Sequence, residues 1–163
     1  MIHVGSGTSG LYIGTYGSGQ TSISDSLKGV GAFAKALGVD SNENTATVWR
    51  HIIATQGNYR GTYLPRSFVV DTPSGSFWTH GNGTKHMYES IKKAMETPSF
   101  KGANHGLLTQ FILYDFRESI SAAAASGRIL YGRKIQTGHW ELIFSKTESD
   151  KYPVIKHAMF RGL

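Results

Sequence analysis

"RSFVVDTPSGSFWTHGNGTKHMYESIKKAME", residues 66–96, changes its hydrophobic period part-way along, and that change decides the fold class. Residues 66–71 and 76–80 are β-rich runs separated by Thr72-Pro73-Ser74-Gly75, a composition that predicts a hairpin. After the Gly81-Asn82-Gly83 turn the period becomes helical, with Thr84 placed to cap the helix and Pro98 to close it. Met87, Ile91, Ala94 and Met95 fall on one face at about 100° per residue, and Lys85, Glu89, Lys92 and Glu96 on the other. His86, Ser90 and Lys93 line the flank between the two faces.

On the N-terminal side, residues 5–22 are rich in Gly and Ser and read as a flexible lead-in. Two helices are expected next, one from Ser24 to Leu37 stopped by Gly38, the other from Asn44 to Gln56. His51 in the second has apolar neighbours and reads as a core or boundary histidine. On the C-terminal side, residues 105–126 predict the longest helix, apolar on most faces and therefore buried, ending at Gly127. Runs at 128–135, 139–145 and 152–160 come after it with short links, the pattern of an antiparallel meander. The expected architecture is α+β: N-terminal helices packed on a small C-terminal antiparallel β-sheet, with residues 1–22 as lead-in and 23–163 as a single domain.

Composition narrows the function classes. With 39% hydrophobic and 12% aromatic residues the chain has enough apolar surface to fold. Lys and Arg outnumber Asp and Glu 17 to 11, a formal charge of +6 that favours polyanionic partners, nucleic acid first among them. The absence of cysteine excludes disulfides and thiolate metal sites. No run of about 18 apolar residues occurs, so no membrane span is expected, and the N-terminus lacks the pattern of a secretory signal peptide.

Alternation in 139–145 puts Trp140, Leu142 and Phe144 toward the core and His139, Glu141, Ile143 and Ser145 on the opposite face. Arg133 and Lys134 alternate, so one of the two joins that face. His157 alternates with Ile155 and Met159, a setting that suits a core histidine as well as a catalytic one. The turn between His80 and His86 is short enough to bring both rings to one pocket, and Lys85 at a helix N-terminus strengthens an anion site. Cleavage of RNA needs a base for the 2′-OH, an acid for the departing 5′-oxygen, and cations or amides for the phosphorane charge. Histidines suit the first two roles. The 11 acidic residues are scattered and His-Glu-x-x-His does not occur, so neither a metal nor a cofactor is expected.

Two segments, "SFWTHGNGTKHMYE" (76–89) and "GHWELIFSKTESDKYPVIKHAMF" (138–160), resemble the C-terminal toxin domains of bacterial polymorphic and contact-dependent inhibition systems. Helices followed by a small antiparallel sheet also resemble the barnase, EndoU, colicin and RelE-like ribonuclease superfamily. The resemblance covers roughly residues 60–160 and implies metal-independent cleavage of RNA, tRNA foremost, by transesterification to a 2′,3′-cyclic phosphate. It implies a catalytic set of His80, Thr84, Lys85 and His86 faced by Glu141 and His157; Arg133, Lys134, His139 and Lys93, from their place on the sheet and on the helix flank, are the RNA-binding candidates beside it. Gly81 and Gly83 stand where the motif leads one to expect Pro and Ala. The resemblance further implies a cognate immunity protein, a parent secreted carrier, and a secreted effector acting in the target-cell cytoplasm. The alternatives are a non-catalytic nucleic-acid-binding or phage-structural module, and a metal-dependent DNase toxin.

Overall fold

A computed structural model describes residues 31–38, 45–100 and 104–162. The Gly/Ser lead-in and the start of the first expected helix lie outside them. Residues 31–37 are helical (α1), burying Phe33, Ala34 and Leu37, and Gly38 ends the helix at φ +74°.

The expected second helix is replaced by two shorter elements. Residues Thr45–His51 form a 3₁₀ helix, and Ile52–Ala54 turn into a strand, β1. Val48 is buried, and Trp49 Nε1 donates to Gln110 Oε1 at 3.1 Å while Gln110 Nε2 donates to Thr45 Oγ1 at 2.8 Å. These bonds fix the short turn of helix. Ile52, Ile53 and Ala54 then pair with Val70, Val69 and Phe68, where β-branched side chains suit a strand and the ladder groups of β2 gain partners.

The hairpin forms as expected from β2 (Phe68–Thr72) and β3 (Gly75–Thr79). The Thr72 hydroxyl closes its turn, accepting from the Ser74 amide and donating to the Gly75 carbonyl. Helix α2 (Gly81–Glu96) begins three residues before the expected cap: His80 is the N-cap, its Nδ1 accepting from the Asn82 amide at 3.0 Å. Met87, Ile91 and Ala94 are buried as the periodicity requires, whereas Met95 is exposed. Helix α3 (His105–Ala125), capped by Asn104, crosses the core face of the sheet, and Phe116 meets both Phe68 and Trp140. Among the described residues, no helix is long and apolar enough to cross a membrane.

The C-terminal strands are β4 (Lys134–Thr137), β5 (Trp140–Ser145) and β6 (Val154–Phe160), a meander of antiparallel pairs. The first starts later than its apolar run. Gly127 and Gly132 hold positive φ, Gly132 donates its amide to Phe144 O, and Ile129 packs against the core instead of joining a ladder. The fold is α+β, but the sheet is larger than expected and mixed. Its six strands run in the order β1-β2-β3-β6-β5-β4, and the hairpin joins the meander through a parallel pair, Trp78 with Val154 and Thr79 with Ile155. The two long helices lie between hairpin and meander in the chain, not ahead of the sheet.

Two local features shape the open face of the sheet. Strand β3 ends at Thr79, and α2 takes over its flank of β6, with Gly83 set against Ala158. A methyl at Gly83 would sit 3.4 Å from both Ala158 Cβ and Thr79 Cγ2, close but within ordinary contact for alanine. Gly83→Ala is therefore expected to stabilise the chain by about 0.5 kcal/mol through the unfolded state. Its melting temperature should rise by roughly 2 °C, and a fall would show that helix and strand cannot accept the methyl. The second feature is a bulge. Ile143 and Phe144 are consecutive in β5, yet their partners are His157 and Ile155, which leaves Lys156 as an extra residue in β6. A bulge shifts the phase of alternation. Ile155 and Ala158 therefore both point into the core, while His157 and Met159 point to the other face.

Candidate active site

The bulge decides the ambiguity of His157. Simple alternation would place it with Ile155 in the core, but the extra residue turns it onto the open face of the sheet beside Glu141. His157 Nε2 donates to Glu141 Oε2 at 2.9 Å. The second carboxylate oxygen accepts from Arg161 Nη2 at 3.2 Å and from Gln136 Nε2 at 3.5 Å, and Lys134 Nζ stands 3.9 Å from Oε2. Glu141 exposes only 10% of its side chain, so these partners replace water. The bond from His157, reinforced by Arg161 and Lys134, holds its carboxyl below the ordinary value of 4.5, against the opposing effect of burial.

From the other side comes α2. Its flank of His86, Glu89, Ser90 and Lys93, spaced i, i+3, i+4 and i+7, lines a cleft of about 240 Å³ together with Met159, Phe160 and Arg161. The His86 and His157 rings meet edge to face at 5.3 Å between centroids. His86 Nδ1 bonds Glu89 Oε1 at 3.2 Å. An ionised carboxylate only accepts, so each bonded ring nitrogen is the donor. That leaves Nε2 of His86 and Nδ1 of His157 as the basic nitrogens, neither with a protein partner among the described residues. Lys93 and Arg161 line the cleft with a single carboxylate, Glu89, so its lining carries a net positive charge before His86 takes a proton, and Lys134 joins Arg161 at the carboxylate of Glu141.

The structure thus gathers five of the expected residues, His86, Lys93, Glu141, His157 and Lys134, the last being the member of its pair that joins their face. It separates the others. Thr84 is fully buried, its hydroxyl donating to Arg66 O at 2.6 Å and sharing a hydrogen bond with Tyr59 at 3.0 Å. It holds the helix start in place and has no surface to offer a substrate. Lys85 is exposed one residue away from His86, about 100° around the helix on the solvent side. His80 caps α2 and lies edge-on to Trp78, outside the cleft lining, and its ring nitrogen already occupies one of the free amides expected to bind an anion. His139 does not share Glu141's face, because its Nδ1 bonds Asp115 Oδ2 at 3.2 Å on α3, where Trp140 Nε1 also donates at 2.9 Å. Arg133 is exposed in the link before β4.

Sequence reasoning passed over Arg161 and Gln136. Both were within reach of alternation: Arg161 continues the series His157, Met159, and Gln136 stands opposite Glu141 in the ladder. His51 is not in the cleft, and burial and the nearby Arg117 guanidinium push its pKa down. His105 at the start of α3 is likewise remote, its pKa lowered by burial. Among the described residues no group of three or more His, Cys, Asp or Glu side chains is arranged to hold a metal ion. Neither a known protein-family model nor a curated protein matches the chain.

Proposed function

We propose that this chain is a metal-independent endoribonuclease that cleaves RNA by transesterification. The observation that carries the reading is the pairing of His157 with buried Glu141 at 2.9 Å, 5.3 Å from the ring of His86 and beside Arg161. In the first step neutral His157 takes the 2′-OH proton on Nδ1, and Glu141 stabilises the imidazolium that forms. The 2′-oxygen attacks phosphorus, and Arg161 and Lys93 meet the charge on the non-bridging oxygens. Protonated His86 gives its proton to the 5′-oxygen as the P–O5′ bond breaks, leaving a 2′,3′-cyclic phosphate and a free 5′-OH.

The resemblance of residues 76–89 and 138–160 supports the wider reading: a toxin domain acting on tRNA in the target-cell cytoplasm, delivered by a secreted carrier and held in check by an immunity protein. The test is incubation of the purified chain with total tRNA in EDTA. Discrete cleavage is expected. Binding without cleavage would assign a nucleic-acid-binding module instead, and cleavage only after Mg²⁺ or Zn²⁺ is added would assign a metal-dependent nuclease.

A further inference from the structure

The link between α3 and β4 holds an apolar pair out in solvent: Leu130 is 49% and Tyr131 53% exposed. Their neighbours along the chain are one-sided in charge. Residues 119–140 contain no Asp or Glu, while Arg128, Arg133 and Lys134 flank the pair. Nor is the link loosely tethered. Arg128 N–H bonds Ala123 O at 2.9 Å, Arg128 Nε donates to Ser126 Oγ at 2.7 Å, and Gly132 N–H bonds Phe144 O at 2.8 Å beside a bridge between Tyr131 and Phe144. An exposed aromatic side chain on a tethered backbone, with cationic residues on either side of it in the chain, is suited to stack a base and grip the neighbouring phosphates.

Its position ties it to the cleft. Gly132 is bonded to Phe144, three residues along β5 from Glu141, a separation of about 10 Å. Lys134 spans the interval, paired with Ile143 and with its Nζ 3.9 Å from Glu141 Oε2. A single strand drawn out beyond the stacked rise of about 3.4 Å per nucleotide covers such a distance in about two nucleotides.

We propose that residues 130–134 form a binding platform for single-stranded RNA, with Tyr131 stacking a base about two nucleotides from the scissile phosphate and Arg133 and Lys134 holding the phosphates between. The choice of RNA over DNA rests on the ribonuclease reading of the cleft. The platform requires an unpaired segment, so the substrate is a loop or open strand of RNA and not a continuous duplex.

The probe is a fluorescent octanucleotide RNA with 2′-O-methyl groups throughout, which binds but offers no nucleophile, read by anisotropy. Tyr131→Ala is expected to weaken binding about tenfold while Tyr131→Phe stays within about twofold of wild type. Arg133→Ala should lower the slope of log Kd against log salt by about one. On a cleavable octanucleotide Tyr131→Ala should raise KM about tenfold, with kcat on a dinucleotide unchanged. Binding by Tyr131→Ala within twofold of wild type would overturn the platform, as would an equal loss of dinucleotide kcat, which would mark damage to the cleft itself. Wild-type chain that binds the probe but leaves tRNA intact would overturn the nuclease and keep the platform. Wild-type chain that cuts tRNA without loss in Tyr131→Ala would do the reverse, and a chain that does neither would overturn both.

Discussion

His157→Ala is expected to lower RNA cleavage about 10³-fold, the scale of a lost general base in a positioned site. The fold should persist. The imidazole lies on the open face of β6, and without it Glu141 still has Arg161 at 3.2 Å and Lys134 at 3.9 Å. Circular dichroism should match wild type, with a melting temperature lower by only a few degrees. A rate within tenfold of wild type would remove His157 from the chemistry and leave the bulge at Lys156 without a functional purpose. His86→Ala should act on the same scale, and the double variant should be little worse than either single one, because an acid and a base acting in one step fail together.

Glu141→Gln separates charge from shape and is expected to lower the rate about 10²-fold, since the imidazolium of His157 loses its counter-ion. It also has a signature in stability. The folded-state pKa of Glu141 lies below the ordinary 4.5, so its ionised form contributes stability that is fully present above that value and is lost as pH falls through the folded pKa. Wild-type melting temperature should therefore fall as pH drops below about 4.5, and Glu141→Gln, whose amide does not titrate, should flatten that fall. Parallel acid curves for the two proteins would show that the carboxylate is not held by His157 and Arg161 as described.

Legibility in the sequence varied with how local the cause was. The hairpin was readable because Thr72, Pro73 and Gly75 make their own turn, and α3 because its apolar residues and Gly127 need no partner to announce them. Residues 45–56 misled because β1 exists only through pairing with β2, a contact with residues 68–70 that local periodicity does not contain. The parallel junction of β3 with β6 is hidden for the same reason.

The site divided along the same line. Helical spacing alone marked His86, Ser90 and Lys93 as one flank, and alternation alone put Glu141 opposite Trp140. His139 was misplaced because Asp115, on a helix 24 residues earlier, draws its ring away from the strand's alternation. Thr84 and Lys85 leave the expected anion site because α2 starts at Gly81, which buries Thr84 within the first turn and puts Lys85, on the polar face where its periodicity places it, beyond the free amides of the helix start. His157 was undecidable from sequence, since nothing in "PVIKHAMF" (153–160) shows that Lys156 is the extra residue. The bulge is visible only once β5 supplies the register.

The proposal that His157, Glu141 and His86 form an acid–base centre acting on one phosphodiester is tested most directly at the ends of the RNA fragments produced by wild-type chain in EDTA. The expected result is a 2′,3′-cyclic phosphate on the upstream fragment and a 5′-OH on the downstream one, with neither formed by His157→Ala. Fragments ending in 3′-OH and 5′-phosphate, or full cleavage by His157→Ala, would contradict it.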